Sequence, residues 1–251
     1  MKKETENILG YEISTLEKTD CIKRIYSWII NGKTNKYFVC ANPHSLEIAE
    51  KDAEFKTAIK NADLITPDGS GIILASRILQ GRITKRVTGS GIFRELSITL
   101  NKSGKYKYFF LGSTRENLQL IKEKMGRDFP NIIVCESFSP PFKKEFSEHD
   151  NKLMIDKINK AEPDVLWVGM TAPKQEKWVY HNRNRLNVCF IGPVGAVFDF
   201  YVKTIVRSHP IFFKYGLEWF PRFIQQPGRL WKRMFISAPK FMLRVFKQKI
   251  F

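Results

Sequence analysis

Six short apolar runs, each closed by turn residues, punctuate this 251-residue chain. They fall at 37–41, 62–66, 106–111, 131–135, 164–169 and 188–192, with helical stretches between most of them. A strand that is apolar throughout has both faces covered, because a half-exposed strand alternates apolar with polar positions. Such strands separated by helices build a mostly parallel, Rossmann-like sheet with helices on both faces. The expected fold class is α/β. Helices are predicted over 18–31 and 45–61, from about 72 onward and over 153–160, and Thr114 sits where a helix N-cap belongs.

Ligands of an open α/β sheet bind beyond the carboxyl ends of its strands. The loops that close the apolar runs therefore hold the candidates. Asp63-Leu64-Ile65-Thr66-Pro67-Asp68-Gly69-Ser70-Gly71 reads as strand, sharp loop and helix. Asp68 is placed there to act as a general base, and Gly69 lets backbone N–H groups approach a phosphate. Pro-Asp-Gly is also an ordinary turn. Arg86, in Lys85-Arg86-Val87-Thr88-Gly89, is either a bidentate diphosphate clamp or part of a solvated basic face. Gln175 opens a helix after Ala172-Pro173-Lys174, where it binds a sugar or fills a helix terminus. Asp199, between Phe198 and Phe200, holds a ribose or base, or caps locally. Gly192-Pro193-Val194-Gly195 lacks the spacing of a dinucleotide fingerprint, and the full Walker pattern Gly-x-x-x-x-Gly-Lys-Ser/Thr does not occur: Gly32-Lys33-Thr34 has Ser27 where the first glycine belongs. The absence of an Asp-x-Asp triplet leaves Arg, Lys and backbone amides to neutralise a leaving group.

The charge is strongly one-sided: 42 Lys and Arg against 25 Asp and Glu, a formal net +17. An anionic partner is implied, whether nucleic acid, a phosphorylated ligand or a membrane surface. The excess concentrates at the end. Residues 207–251 carry ten Lys or Arg against one acid, Glu218, and eleven aromatics. The chain is therefore divided into an α/β domain over 1–206 and a basic-aromatic helical appendage over 207–251, broken near Pro221, Pro227 and Pro239. Bulky aliphatic and aromatic groups among the cations favour a membrane interface over nucleic acid. A nucleic-acid-binding α/β module remains the rival of another class. Cys21, Cys40, Cys135 and Cys189 form no C-x-x-C pair, which argues against a zinc site or disulfide framework. Met1-Lys2-Lys3-Glu4-Thr5-Glu6 is not followed by an apolar leader core, and no stretch reaches the length needed to span a bilayer.

Several motifs in order resemble the WecG/TagA/CpsF glycosyltransferase family (glycosyltransferase family 26). They are Ala62-Asp63-Leu64-Ile65-Thr66-Pro67-Asp68-Gly69, Arg86-Val87-Thr88-Gly89-Ser90, Ser139-Pro140-Pro141-Phe142 and Pro163-Asp164-Val165-Leu166-Trp167-Val168-Gly169. Ala172-Pro173-Lys174-Gln175-Glu176-Lys177-Trp178, Gly195-Ala196-Val197-Phe198-Asp199-Phe200, Gly216-Leu217-Glu218-Trp219 and Arg229-Leu230-Trp231-Lys232-Arg233 continue the series. The resemblance implies an inverting, metal-independent transferase. Its donor would be a UDP-sugar, carrying N-acetylmannosamine, its uronic acid or another hexose such as glucose. Its acceptor would be a sugar on a polyprenyl diphosphate, in the synthesis of a cell-surface polysaccharide. No cofactor and no nucleic acid are implied.

The resemblance makes Asp68 the catalytic base and Arg86 the diphosphate-stabilising arginine. It puts Asn42 in the donor site, Gln175 against the sugar and Asp199 against the nucleotide. Phe142, Gly69 and Gly195 join the substrate-binding candidates, and Arg222, Arg229 and Arg233 are candidates in a tail that closes the site. Cys40 stands where many members have threonine, and a thiol is a weak hydrogen-bond partner. Location on the cytoplasmic face of the bacterial inner membrane, without a spanning helix, and self-association are also implied.

Overall fold

The structure is a computed structural model and describes residues 4–202, 228 and 231–250. The six apolar runs become β3 (Lys36–Ala41), β4 (Leu64–Pro67), β5 (Tyr106–Gly112), β6 (Ile132–Phe138), β7 (Val165–Gly169) and β8 (Phe190–Pro193). All pair in parallel, in the order β4-β3-β8-β7-β5-β6. A separate antiparallel hairpin, β1 (Thr5–Ile8) and β2 (Tyr11–Ser14), precedes them.

Alternate residues of each central strand enter opposite cores, as the period of two requires. Tyr37, Val39, Phe109, Leu111, Leu166, Val168 and Ile191 face one core. Phe38, Tyr108, Phe110, Val165, Trp167 and Phe190 face the other. The second core is closed by α1 (Lys18–Ile30), α5 (Gly89–Ser103), α6 (Arg115–Asp128) and α9 (Val197–Tyr201). The first is closed by α2 (Pro43–Ala49), α3 (Ala53–Lys60), α4 (Ser70–Ile78), α7 (Glu148–Ala161), α8 (Lys174–Asn182) and α10 (Ala238–Ile250), together with the hairpin.

Three local features differ from the sequence reading. The hairpin turns at Leu9 and Gly10, both at positive φ (54° and 83°), the geometry that matches strand twist. Its alternation is too short to stand out from a polar N-terminus. The stretch 45–61 is two helices rather than one. Asn42 starts α2 in a capping box with Ser45, and Asp52 restarts the chain as α3 by accepting from Phe55 N at 2.9 Å. Pro239 does not break the tail. It lies in the first turn of α10, directly after a π-helical turn, Lys232–Ser237, where a missing N–H is tolerated. Pro221 and Pro227 lie outside the described residues.

The C-terminal helix is part of the core. Phe241 and Val245, one helical turn apart, are completely buried against α2 and α4. Arg244 Nη1 and Nη2 each lie 3.0 Å from a carboxylate of α2's far end, Glu47 and Glu50. Gln248 bridges to the hairpin, accepting from Leu9 N at 2.7 Å and donating to Asn7 O at 3.0 Å.

Candidate active site

The loops after all six parallel strands open into one cleft of about 2410 Å³. Asn42 follows β3, Asp68 and Gly69 follow β4, and Ser113 and Thr114 follow β5. Phe142 lies beyond β6, Met170 and Gln175 beyond β7, and Gly195 and Asp199 beyond β8. Arg86 enters from the segment before α5. Cys40 lines the same wall, and Arg233 reaches the cleft from the C-terminal segment. Ten of the twelve residues singled out in the sequence thus meet in one place; Arg222 and Arg229 lie outside the described residues.

Local backbone chemistry explains the placement. Asp68 N donates to Ala41 O at 2.8 Å, so the loop after β4 is pinned to the end of β3. Val87 N donates to Pro67 O at 2.8 Å, which brings the Arg86 segment beside the Asp68 loop. Gly69 has φ +106°, a conformation an L side chain rarely adopts, and it lets the chain turn from β4 into α4. Asn42 spends its side chain on capping α2, so it enters the cleft as a fixed group. Asp199 accepts from Asn117 Nδ2 at 2.9 Å, and the same amide lies 3.2 Å from Ser113 Oγ. Phe142 is wholly exposed at the rim, beyond the stiff Pro140-Pro141 pair. The Ala172–Pro173 peptide before α8 is cis.

Cys40 and Thr66 are register partners on β3 and β4, and Thr66 Oγ1 lies 3.6 Å from Cys40 Sγ. Burial, with the Asp68 carboxylate second, holds the Cys40 thiol well above its usual pKa. The thiol form of Cys40 is thereby favoured over the thiolate. Glu176 also raises the pKa of Cys40, so both carboxyl groups act on this one sulfur. Burial pushes the Glu176 carboxyl up to about 7, against the lowering effect of the Gln175 hydrogen bond and its own backbone N–H. At the cleft edge Lys177 Nζ pairs with Asp52 (3.0 Å) and Glu54 (2.6 Å), joining α8 to α3.

Sequence reasoning passed over four residues of this region. Glu176 was visible only as part of a motif, and nothing in the string reveals its burial. Asn117 meets Asp199 across 82 positions of chain and joins it to Ser113 through the same amide, a juxtaposition made by the strand order. Ser237 reaches His44 from the C-terminal segment. Among the described residues no three His, Cys, Asp or Glu gather as a metal-binding cluster.

An open parallel sheet whose strand ends converge on a polar, glycine-bearing cleft defines an α/β protein that holds its ligands at the carboxyl edge. Residues 6–251 match the Glycosyl transferase WecG/TagA/CpsF family, and the chain belongs to it. The chain is 29% identical over 249 residues to an N-acetylglucosaminyldiphosphoundecaprenol N-acetyl-beta-D-mannosaminyltransferase of Bacillus subtilis (strain 168), covering 99% of this chain and 93% of the relative. Relatives with the same name in Bacillus spizizenii and Staphylococcus aureus (strain MW2) are each 26% identical over 246 residues. Those matches cover 98% and 97% of this chain respectively, and 92% of each relative.

Proposed function

We propose that this enzyme transfers N-acetylmannosamine, with inversion, from UDP to an N-acetylglucosamine carried on a polyprenyl diphosphate. The convergence of Asp68, Arg86, Gln175 and Asp199 on one cleft carries the reading. The relatives' shared name supplies the sugar and the acceptor.

In this mechanism Asp68 accepts the proton of the acceptor hydroxyl as its oxygen attacks the anomeric carbon. The carbon–oxygen bond to the diphosphate breaks on the opposite face, and UDP leaves with the electron pair. Arg86 and the N–H groups of the Gly69 loop balance the charge that develops on the diphosphate. Asp199, oriented by Asn117, receives the nucleoside. Gln175 meets the donor sugar. Cys40 lines the donor pocket with a polarisable, weakly hydrogen-bonding surface.

The acceptor is a lipid, so the cleft must meet a membrane. Among the described residues no helix is long and apolar enough to cross one. α10 instead offers an outward strip of Leu243, Phe246 and Ile250, flanked by Lys240, Lys247 and Lys249. Trp231, Phe235 and Ile236 extend the exposed apolar surface before it. Apolar groups interleaved with lysine suit the interface of an anionic leaflet, with the enzyme on its cytoplasmic side.

The deciding experiment offers a panel of UDP-sugars with a synthetic polyprenyl-diphosphate N-acetylglucosamine and weighs the product. A mass gain of one N-acetylhexosamine from UDP-N-acetylmannosamine alone is expected. Transfer of glucose or of a hexuronic acid in preference, or transfer to no lipid acceptor, overturns the reading.

A further inference from the structure

Two oxygens of adjacent side chains are buried at the cleft without a hydrogen-bond partner: Gln175 Oε1 and Glu176 Oε2. The other ends of the same two groups are joined, Gln175 Nε2 donating to Glu176 Oε1 at 2.8 Å. The residues are only 4% and 7% exposed, so bulk water does not serve the orphans. Two buried acceptors with nothing to accept are costly, and an ionised one most of all. One added hydrogen removes both deficits, if it sits on Glu176 Oε2 and is donated to Gln175 Oε1.

We propose that Glu176 works as a neutral carboxylic acid, closing a two-point acid–amide pair that fixes which way the Gln175 amide faces. In that pair Nε2 and Oε1 of Gln175 are both committed to Glu176, and the second N–H of Nε2 is left over. The amide packs against Gly195, whose added Cβ would stand 3.4 Å from Gln175 Oε1 and 3.6 Å from Nε2. Gln175 therefore meets the cleft as a hydrogen-bond donor. Glu176 is a positioning residue: it acts on substrate through Gln175. The inference rests on the reading that Gln175 contacts the donor sugar.

The surroundings favour the neutral form. Burial raises the carboxyl's pKa to about 7. From β3, Cys40 faces it as a neutral thiol, with Asp68 acting on that same sulfur. From α3, Asp52 and Glu54 are engaged by Lys177 and His181. On its own helix Lys174 donates to Lys143 O. On the turn that follows α8, Arg183 pairs with Asp63 and Arg185 with Glu148. These cations have other carboxylates or carbonyls, and none is among the causes acting on Glu176.

Raising the pH through about 7 turns Oε2 from donor to acceptor, opposite another acceptor. The pair opens, the amide loses its fixed orientation, and the sugar contact is lost. Leaving one buried group unsatisfied raises the KM for the donor roughly 5- to 150-fold. Glu176→Gln replaces the acid–amide pair with an amide–amide pair of the same donor–acceptor pattern, and that pair does not titrate.

The test measures KM and kcat for UDP-N-acetylmannosamine from about pH 6 to pH 9 in wild type and Glu176→Gln. Infrared difference spectra of both proteins are taken over the same range. Expected are a donor KM that climbs above about pH 7 in wild type and stays flat in Glu176→Gln. A protonated-carboxyl band should disappear with the same midpoint in wild type and be missing from the variant. A wild-type KM that does not change with pH, a variant that keeps the change, or no titrating carboxyl band overturns the proposal. Gln175→Ala, which removes the amide, separates the two claims through its KM. If it leaves KM unaltered while the wild-type band titrates, the sugar contact fails and the pair stands; if it raises KM while no wild-type band titrates, the reverse holds.

Discussion

His44 Nδ1 lies 2.9 Å from Ser237 Oγ, joining the first turn of α2 to the segment that leads into α10. Arg244 holds the other end of α2 through Glu47 and Glu50. The helix capped by Asn42 is thus gripped at both ends by the C-terminal part of the chain, which also sends Arg233 into the cleft. Ser237→Ala removes one grip and leaves the other. The expected loss is about 1 kcal/mol, or a fall of about 2–4 °C in thermal midpoint for a domain of this size. Calorimetry of the two proteins checks it, and an unchanged midpoint means the contact contributes nothing in solution.

Asp68→Asn tests the proposed base. The loop is held by backbone bonds, Asp68 N to Ala41 O and Val87 N to Pro67 O, which the substitution leaves in place. Turnover should fall about 100- to 10,000-fold, the usual worth of general-base help, with the melting curve little altered. Full activity with a lipid-diphosphate acceptor rejects the assignment.

Removing the whole tail would confound two effects, because α10 has a core face and an outer face. Phe241→Ala acts on the core face and should cost about 3–5 kcal/mol of stability. Leu243→Glu with Phe246→Glu acts on the outer face, where both residues are already exposed. That variant should fold normally yet sediment less with anionic vesicles, and high salt should weaken binding of the unaltered chain. Vesicle binding that ignores both changes removes α10 from the membrane contact.

The sheet was readable from the chain because β3, β5, β7 and β8 are buried on both faces, and continuous burial leaves an unbroken apolar run. Asp68, Gln175 and Asp199 were readable for a related reason: each sits where such a run ends, and strand ends of a parallel sheet share an edge. The strand order was not readable. It is what carries Asn117 to Asp199 and sets β8 between β3 and β7. The docking of α10 was also hidden. Its alternating lysines and aromatics read as an interfacial helix, while just two of its positions, Phe241 and Val245, are fully buried. Burial of Glu176 left no mark either, because a carboxylate in a helix's first turn usually faces water and the helix dipole.

That buried carboxyl also fixes how stability should vary with pH. Its folded pKa of about 7 is raised above the ordinary value of 4.5 by burial, so the folded chain holds a proton that the unfolded chain releases first. Below pH 4.5 both states are protonated and Glu176 adds no pH dependence. Between 4.5 and about 7 the unfolded state alone ionises, and stability falls as pH rises; above about 7 the penalty is complete. The difference of about 2.5 units corresponds to about 3 kcal/mol at 1.36 kcal/mol per unit. Glu176→Gln cannot ionise, so its stability relative to wild type should improve by up to that amount between pH 5 and pH 8. Urea melts of both proteins at the two pH values measure the difference. Parallel behaviour at both would mean that Glu176 is ionised in the folded protein at pH 5 already, with its charge met by a partner.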